Sequence, residues 1–295
     1  MNRWLFLSAV TVWSLAAPDD RTIDISVHAR SIRPGELVVL TVVPPAGSDS
    51  VQIRAFDRDI PAFRTGDRTW EVLVGIDLDV HPGRYAVSVT AGAARAAHEL
   101  VVEKRTFPTR RLKVDEAFVT PPPSEQARIE REAALLAATW KAAARERLWS
   151  GPFVRPVAEP ANSAFGTRSI FNGKPRNAHG GADFLSPAGT PVHAPNAGRV
   201  VIARPLYFSG NTVIVDHGLG LFSMLAHLSA IDVREGERVN AGHVVGKVGA
   251  TGRVTGAHLH WTVRAADARV DPLSLLAVLG TATAGPEPRA LSPDR

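Results

Sequence analysis

The stretch "GAHLHWTV", residues 256–263, sets two histidines two places apart inside an apolar run. In an extended chain, residues i and i+2 project from the same face. His258 and His260 are therefore expected side by side on one face of a strand. Two imidazoles presented together suggest a metal site, and the remaining ligands must come from elsewhere in the chain.

Around this stretch, residues 151–277 are rich in Gly, Val and short apolar runs. "GRVVIA", "NTVIVDHG", "LFSMLAHL" and "HVVGKVGA" read as strands broken by Gly and Asn turns, with no convincing long helix between them. The pattern predicts an antiparallel all-β unit. It holds seven of the ten histidines. The chain has no cysteine, which excludes disulfides, thiolate zinc sites and a lipid-anchoring cysteine; any metal must rest on His, Asp or Glu.

Such ligands are present upstream. In "NAHGGADF", residues 177–184, His179 and Asp183 stand four apart, separated by two glycines and an alanine. Small residues let the backbone curl so that the two side chains converge. Zinc without thiolates takes imidazole and carboxylate, with three protein ligands and one open position where it is catalytic. His179, Asp183 and one histidine of the "HLH" pair would supply His2Asp. His227, in "SMLAHLS", lies in another strand-like segment and on its own reads as a satisfied core histidine.

Taken together, "HGGAD" (179–183), "AHLS" (226–229) and "TGAHLHW" (255–261) resemble the LytM/lysostaphin family of zinc peptidoglycan endopeptidases. Ser186-Pro187-Ala188-Gly189, "GNTVIVDHG" and "GATGRVTG" add to the resemblance, which covers about residues 165–276. It implies zinc ligands His179, Asp183 and His260, with His227 and His258 as catalytic partners rather than ligands. It implies an exported zinc metalloendopeptidase of the periplasm, cell envelope or extracellular space, acting on the peptide cross-links of bacterial peptidoglycan. A non-catalytic module that activates another wall hydrolase and a zinc amidase are the alternatives. An envelope or divisome protein is a further candidate partner. Ala257 stands where the family often has proline, and Thr262 where an acidic residue is common; these departures bear on groove shape and specificity. His193, His217 and His243 read as structural. Asn211 could meet substrate, but turn chemistry explains it equally well.

The rest of the 295 residues is organised around this unit. The run from Trp4 to Leu15, led by one arginine and followed by small residues, predicts a signal peptide over 1–17. Residues 20–105 alternate, as at Ile23, Ile25 and Val27 or Trp70, Val72 and Val74, and predict an immunoglobulin-like β-sandwich. Residues 106–150 form a linker in which Ile129, Ala133, Leu136, Trp140 and Ala144 recur at steps of three and four. That spacing predicts an amphipathic helix of about six turns, capped by Ser124 and docked by its apolar stripe. Residues 278–295 predict a disordered tail. The formal charge of +5 and pI of 10.0 suit an anionic partner. No basic stripe interleaved with aromatics points to nucleic acid.

Overall fold

A computed structural model describes residues 22–113, 116, 119–163 and 165–280. The expected leader and the segment from 281 lie outside the described residues. The N-terminal part contributes β1 (Asp24–Ala29), β2 (Leu37–Val43), β3 (Gln52–Ala55), β4 (Arg58–Ile60), β5 (Ala62–Arg64), β6 (Trp70–Gly75), β7 (Gly83–Ala91) and β8 (Ala94–Val102). They form two four-stranded antiparallel sheets, in the orders β1-β2-β6-β5 and β4-β3-β7-β8. Val38, Leu40, Val42, Val72 and Val74 from one sheet meet Ile53, Val87, Val89 and Leu100 from the other. Alternation puts these side chains on one face of each strand, which is why the pattern was legible.

One sheet is apolar on both faces. Leu37, Val39 and Leu73, with Phe63, point away from that core and join Trp149, Phe153, Ala268, Val270 and Leu275 in a second one. The run Leu37–Val43 is apolar at every position but Thr41 for this reason, as strands covered on both sides nearly are.

After β9 (Thr109–Leu112) and helix α1 (Gln126–Lys141), the chain builds a ten-stranded sheet. Its strands are β10 (Ala161–Ser163), β13 (Ala182–Phe184), β14 (Pro191–His193), β15 (Gly198–Leu206), β16 (Gly210–Gly218), β17 (Leu221–Ile231), β18 (Arg238–Val239), β19 (Val244–Val248), β20 (Leu259–Ala265) and β21 (Ala268–Val270). The main path runs β10-β13-β20-β17-β16-β15-β18. Two further strands, β11 (Arg168–Phe171) and β12 (Lys174–Pro175), form a small sheet with β9. The fold is thus mainly β with few helices.

Three local features differ from the sequence expectation. Helix α1 has 16 residues, about four turns at 3.6 per turn, rather than six. It stops because Asp216 accepts the Ala144 amide at 2.8 Å and Ala144 in turn accepts the Leu219 amide at 2.7 Å. The chain pairs with the β16–β17 turn instead of coiling on. Ser124 is not the cap: it lies within a single 3-10 turn, and Glu125 precedes the helix without a side-chain cap bond. Finally, α2 (Pro272–Leu279) runs two residues into the segment expected to be tail. Asp271 caps it by accepting the Leu273 amide at 3.0 Å, and Pro272 fills the first turn. The stripe of α1 is docked: Leu135, Leu136 and Trp140 lie against Ile202, Ile214 and Phe222, with the Trp140 and Phe222 rings 5.4 Å apart.

Candidate active site

β20 lies between β13 and β17, and this register assembles the site. Burial alternates strictly along β20: Leu259, Trp261, Val263 and Ala265 face the core, and His260 and Thr262 face outward. Asp183 of β13 is the direct cross-strand partner of His260, so both side chains leave the sheet on one face. His258 sits just before the strand, bridged to Gly249, and its Nε2 lies 3.9 Å from Asp183 Oδ1. The two histidines of "HLH" therefore do share a face.

His179 arrives from the loop before β13. Its amide donates to Thr167 at 2.9 Å, and its carbonyl accepts the Gly166 amide at 2.8 Å. Gly181 is indispensable to this approach, because a Cβ there would lie 2.9 Å from the His260 ring and collide with the Trp261 carbonyl. Gly180 has open space around it.

His227 comes from β17. Between Leu225 and Leu228, two residues of β17 stand opposite one of β16, a β-bulge. His227 lies in this bulge with φ +64°, a left-handed conformation uncommon for a non-glycine residue. The bulge turns its ring toward the cluster, 4.9 Å from that of His258 and 6.0 Å from that of His260.

Three donor atoms converge. His179 Nε2 and His260 Nδ1 lie 3.0 and 2.7 Å from Asp183 Oδ1, and 3.1 Å from each other. Burial alone would raise the Asp183 carboxyl, but the hydrogen bonds and charges of the two imidazoles outweigh it and hold the group far below its usual range. Burial pushes the His260 imidazole down, so it favours the neutral form that a metal needs. Two imidazoles and a carboxylate presenting three lone-pair atoms to one point fit a zinc ion with one position open.

The outer nitrogens of three of these rings also have partners. His260 Nε2 lies 2.9 Å from Thr262 Oγ1, so the ring can donate outward while Nδ1 faces the cluster. His227 Nδ1 donates to the Thr251 carbonyl at 3.0 Å, and His258 Nδ1 to the Gly256 carbonyl at 2.9 Å. A carbonyl only accepts, so Nδ1 is the donor in each ring and Nε2 is the nitrogen that carries the lone pair whenever the ring is neutral. Burial, aided by the charge of His260, lowers the His227 imidazole to about 4.

The cluster lies in an open groove of about 810 Å³. No residue from β1–β8 lines it. Residues 177–272 match the model of Peptidase family M23. A crystal structure from Pseudomonas aeruginosa, assigned to peptidase M23, aligns with 33% identity and a TM-score of 0.67 over 85% of this chain and 96% of that one. The chain belongs to peptidase family M23. Peptidoglycan DD-endopeptidase ShyA of Vibrio cholerae is 45% identical over 83 residues, 28% of this chain and 19% of that protein. DD-carboxypeptidase/endopeptidase Mpg of Neisseria meningitidis is 41% identical over 97 residues, 33% of this chain and 22% of its own. The chain thus spans about a fifth of the length of these curated relatives.

Within this M23 fold the other histidines stand apart from the cluster. His217 is fully buried, donates from Nδ1 to the Ala197 carbonyl at 2.8 Å, holds Ser223 Oγ 3.0 Å from Nε2, and packs edge-on against Phe153. His193 bonds the Pro156 carbonyl, and His243 is exposed. Asn211 lies toward Ser229 O at 3.5 Å and does not line the groove. Sequence reasoning assigned Thr262 to groove shape, whereas it bonds His260. The i, i+2, i+4 positions 258, 260 and 262 were the available signal. It also missed Arg110 and Leu112, which wall the groove from β9.

Proposed function

We propose that this chain is an exported zinc metalloendopeptidase that hydrolyses peptide cross-links of bacterial peptidoglycan. The observation that carries the reading is the convergence of His179 Nε2, Asp183 Oδ1 and His260 Nδ1 beside two further imidazoles in an open groove. His179, Asp183 and His260 would hold the metal. Bound there, zinc would lower the pKa of a water toward ~7 and polarise a peptide carbonyl.

The chain's own groups supply the rest. With Nδ1 bonded to a carbonyl in both rings, Nε2 of His227 and of His258 is left for the groove, and in its neutral form either ring can take a proton from the attacking water and return it to the leaving amine. Once protonated, an imidazole at that position also stabilises a developing oxyanion. Thr262 holds the orientation of His260. The open groove admits a polymer-borne peptide, which a closed pocket would not. The resemblance of the leader segment to a signal peptide supports export, and the two-sheet N-terminal unit supports the immunoglobulin-like sandwich reading.

Digestion of purified peptidoglycan by the full chain tests the reading, with products identified by mass spectrometry. Cross-linked muropeptides should fall to monomers with a new amine and carboxyl at the cross-link. His258→Ala should keep stoichiometric zinc and lose roughly a hundredfold or more in rate, the scale of lost acid–base help. Release of intact peptides from glycan would make the protein an amidase. Zinc-loaded protein that cuts nothing would make it a non-catalytic activator.

A further inference from the structure

Of the three candidate metal ligands, Asp183 and His260 sit on paired strands, whereas His179 sits in a loop. Both backbone groups of His179 bond residues 166 and 167. The Gly166 amide donates to its carbonyl at 2.8 Å, and its own amide donates to the Thr167 carbonyl at 2.9 Å. Where 166 and 167 go, this ligand follows. The two residues lie just before β11, and that turn is held from outside the catalytic unit.

The segment that leaves the N-terminal sheets after β8 does the holding. Its start is anchored at Glu103, which accepts from Arg33 at 2.7 Å and donates its amide to the Ile32 carbonyl at 2.9 Å. Arg105 then reaches the junction of the two units. Its Nη1 donates to the Pro34 carbonyl at 3.1 Å and to Glu36 at 3.3 Å, and its Nη2 to Asp271 at 3.4 Å. The same guanidinium lies over the Phe107 ring at 5.0 Å and the Phe165 ring at 5.9 Å, and the two rings meet edge-on at 6.4 Å. Phe165 is buried. The packing is close: a Cβ at Gly35 would collide with the Phe165 ring, and one at Gly166 with the Phe107 ring. Beyond Phe107, the Pro108 carbonyl accepts the Arg168 amide at 2.8 Å, and β9 continues as the parallel partner of β11. An unbroken path thus runs from buried Glu36 and Asp271 through Arg105, Phe107 and Phe165 to Gly166 and His179.

We propose that Arg105 and Phe107 are positioning residues for the metal centre: they fix the turn at 165–167 on which His179 stands, so that the N-terminal unit completes the metal site without lining the groove. This rests on the metal reading above. A zinc–imidazole bond of about 2.0–2.1 Å tolerates displacement of only about 0.2 Å, so a ligand on a loop needs its loop held.

The test uses the full chain. Phe107 is half-buried and belongs to neither large core, so its truncation leaves both cores in place. Phe107→Ala and Arg105→Gln should each weaken zinc binding by about tenfold or more, the scale of losing a group that orients a ligand, as read by competition with a chromogenic chelator. In the chelator-treated chain, amide hydrogen exchange read by mass spectrometry should speed up in peptides covering 165–180 and stay as it was in β15 and β16. Val200→Ala is the control for a merely structural loss. It truncates a buried side chain of β15, two strands from β17, and should leave zinc affinity unchanged. Parent-like zinc affinity in Phe107→Ala overturns the proposal. An equal loss in Val200→Ala overturns it too, because the effect is then a general softening, as does weaker zinc binding with unchanged exchange in 165–180. If the parent chain takes up no zinc, the metal reading falls and exchange decides the positioning by itself: faster exchange in both variants sustains it, and unchanged exchange overturns it.

Discussion

His260 faces two ways: Nδ1 meets Asp183 Oδ1 at 2.7 Å, and Nε2 meets Thr262 Oγ1 at 2.9 Å. The hydroxyl therefore holds the plane of a metal-facing ring and can accept from Nε2 when Nδ1 faces a metal. Thr262→Val keeps the shape and removes the acceptor. It should weaken zinc binding by about 10–100-fold, the usual cost of losing such a partner, as read by competition with a chromogenic chelator. Unchanged affinity would mean that the cross-strand register alone orients the ring. His217 makes a different kind of prediction. Burial lowers it from 6.5 to about 4, so below pH 6.5 the unfolded chain takes up a proton that the folded one refuses. Stability should then fall as pH drops from 6.5 toward 4, by about 2 kcal/mol at pH 5 from this residue alone. Chelator-treated His217→Gln should lose less stability between pH 7 and pH 5 than the chelator-treated parent chain. Equal losses in denaturant titrations would show that His217 is not the group responsible.

At the scale of elements, three neighbouring strands do most of the assembly. β13 sets Asp183 against His260, β20 presents the alternating face, and the bulge in β17 re-aims His227. Helix α1 packs on the outer face of the same sheet through Trp140, whose ring also carries the Arg264 guanidinium at 5.2 Å. Phe222 is 1% exposed and is the anchor of that contact. Phe222→Ala should cost about 3–5 kcal/mol, the range for truncating a buried aromatic. The unfolding midpoint in denaturant should shift while its slope stays the same. A shift worth well under 1 kcal/mol would place α1 outside the cooperative unit. The helix was legible from its 3.6-residue stripe, but its end was not. Asp216 decides where it stops, and Asp216 is 72 positions away from the amide it captures.

Across the whole molecule, the N-terminal unit and the catalytic unit share a core rather than a linker. Leu37, Val39, Phe63 and Leu73 pack with Val270 and Leu275. Above them, buried Glu36 accepts from Arg30 at 2.7 Å and from the Ser274 hydroxyl at 2.7 Å, while Arg30 also reaches Asp271 at 2.8 Å. Arg269 bridges Asp77 and Asp79 at 2.6 and 2.7 Å. Such a junction should make unfolding all-or-none. Calorimetry of the chain from residue 22 to residue 280 should show one transition with equal calorimetric and van't Hoff enthalpies. Two resolved transitions would contradict this, and so would a fragment from residue 151 onward that melts as high as the whole.

What was determined by the sequence alone was local chemistry. The two-residue period of 258–262 predicted a strand with both histidines on one face, because pleating depends only on neighbours. "HGGAD" predicted convergence, because only small residues allow it, and Gly181 against His260 bears out the physical reason. Which histidine of the pair faces Asp183 was not in the spacing; it came from the family resemblance, and in the structure from the register of β13 with β20. β9 was invisible for a related reason. Its four residues, Thr109–Leu112, are all exposed and carry no apolar pattern, and backbone bonds to β11, 59 positions on, hold it in place. The β9 side of the groove and the shared core were decided only by tertiary structure, since both depend on pairing between segments whose sequences say nothing of each other.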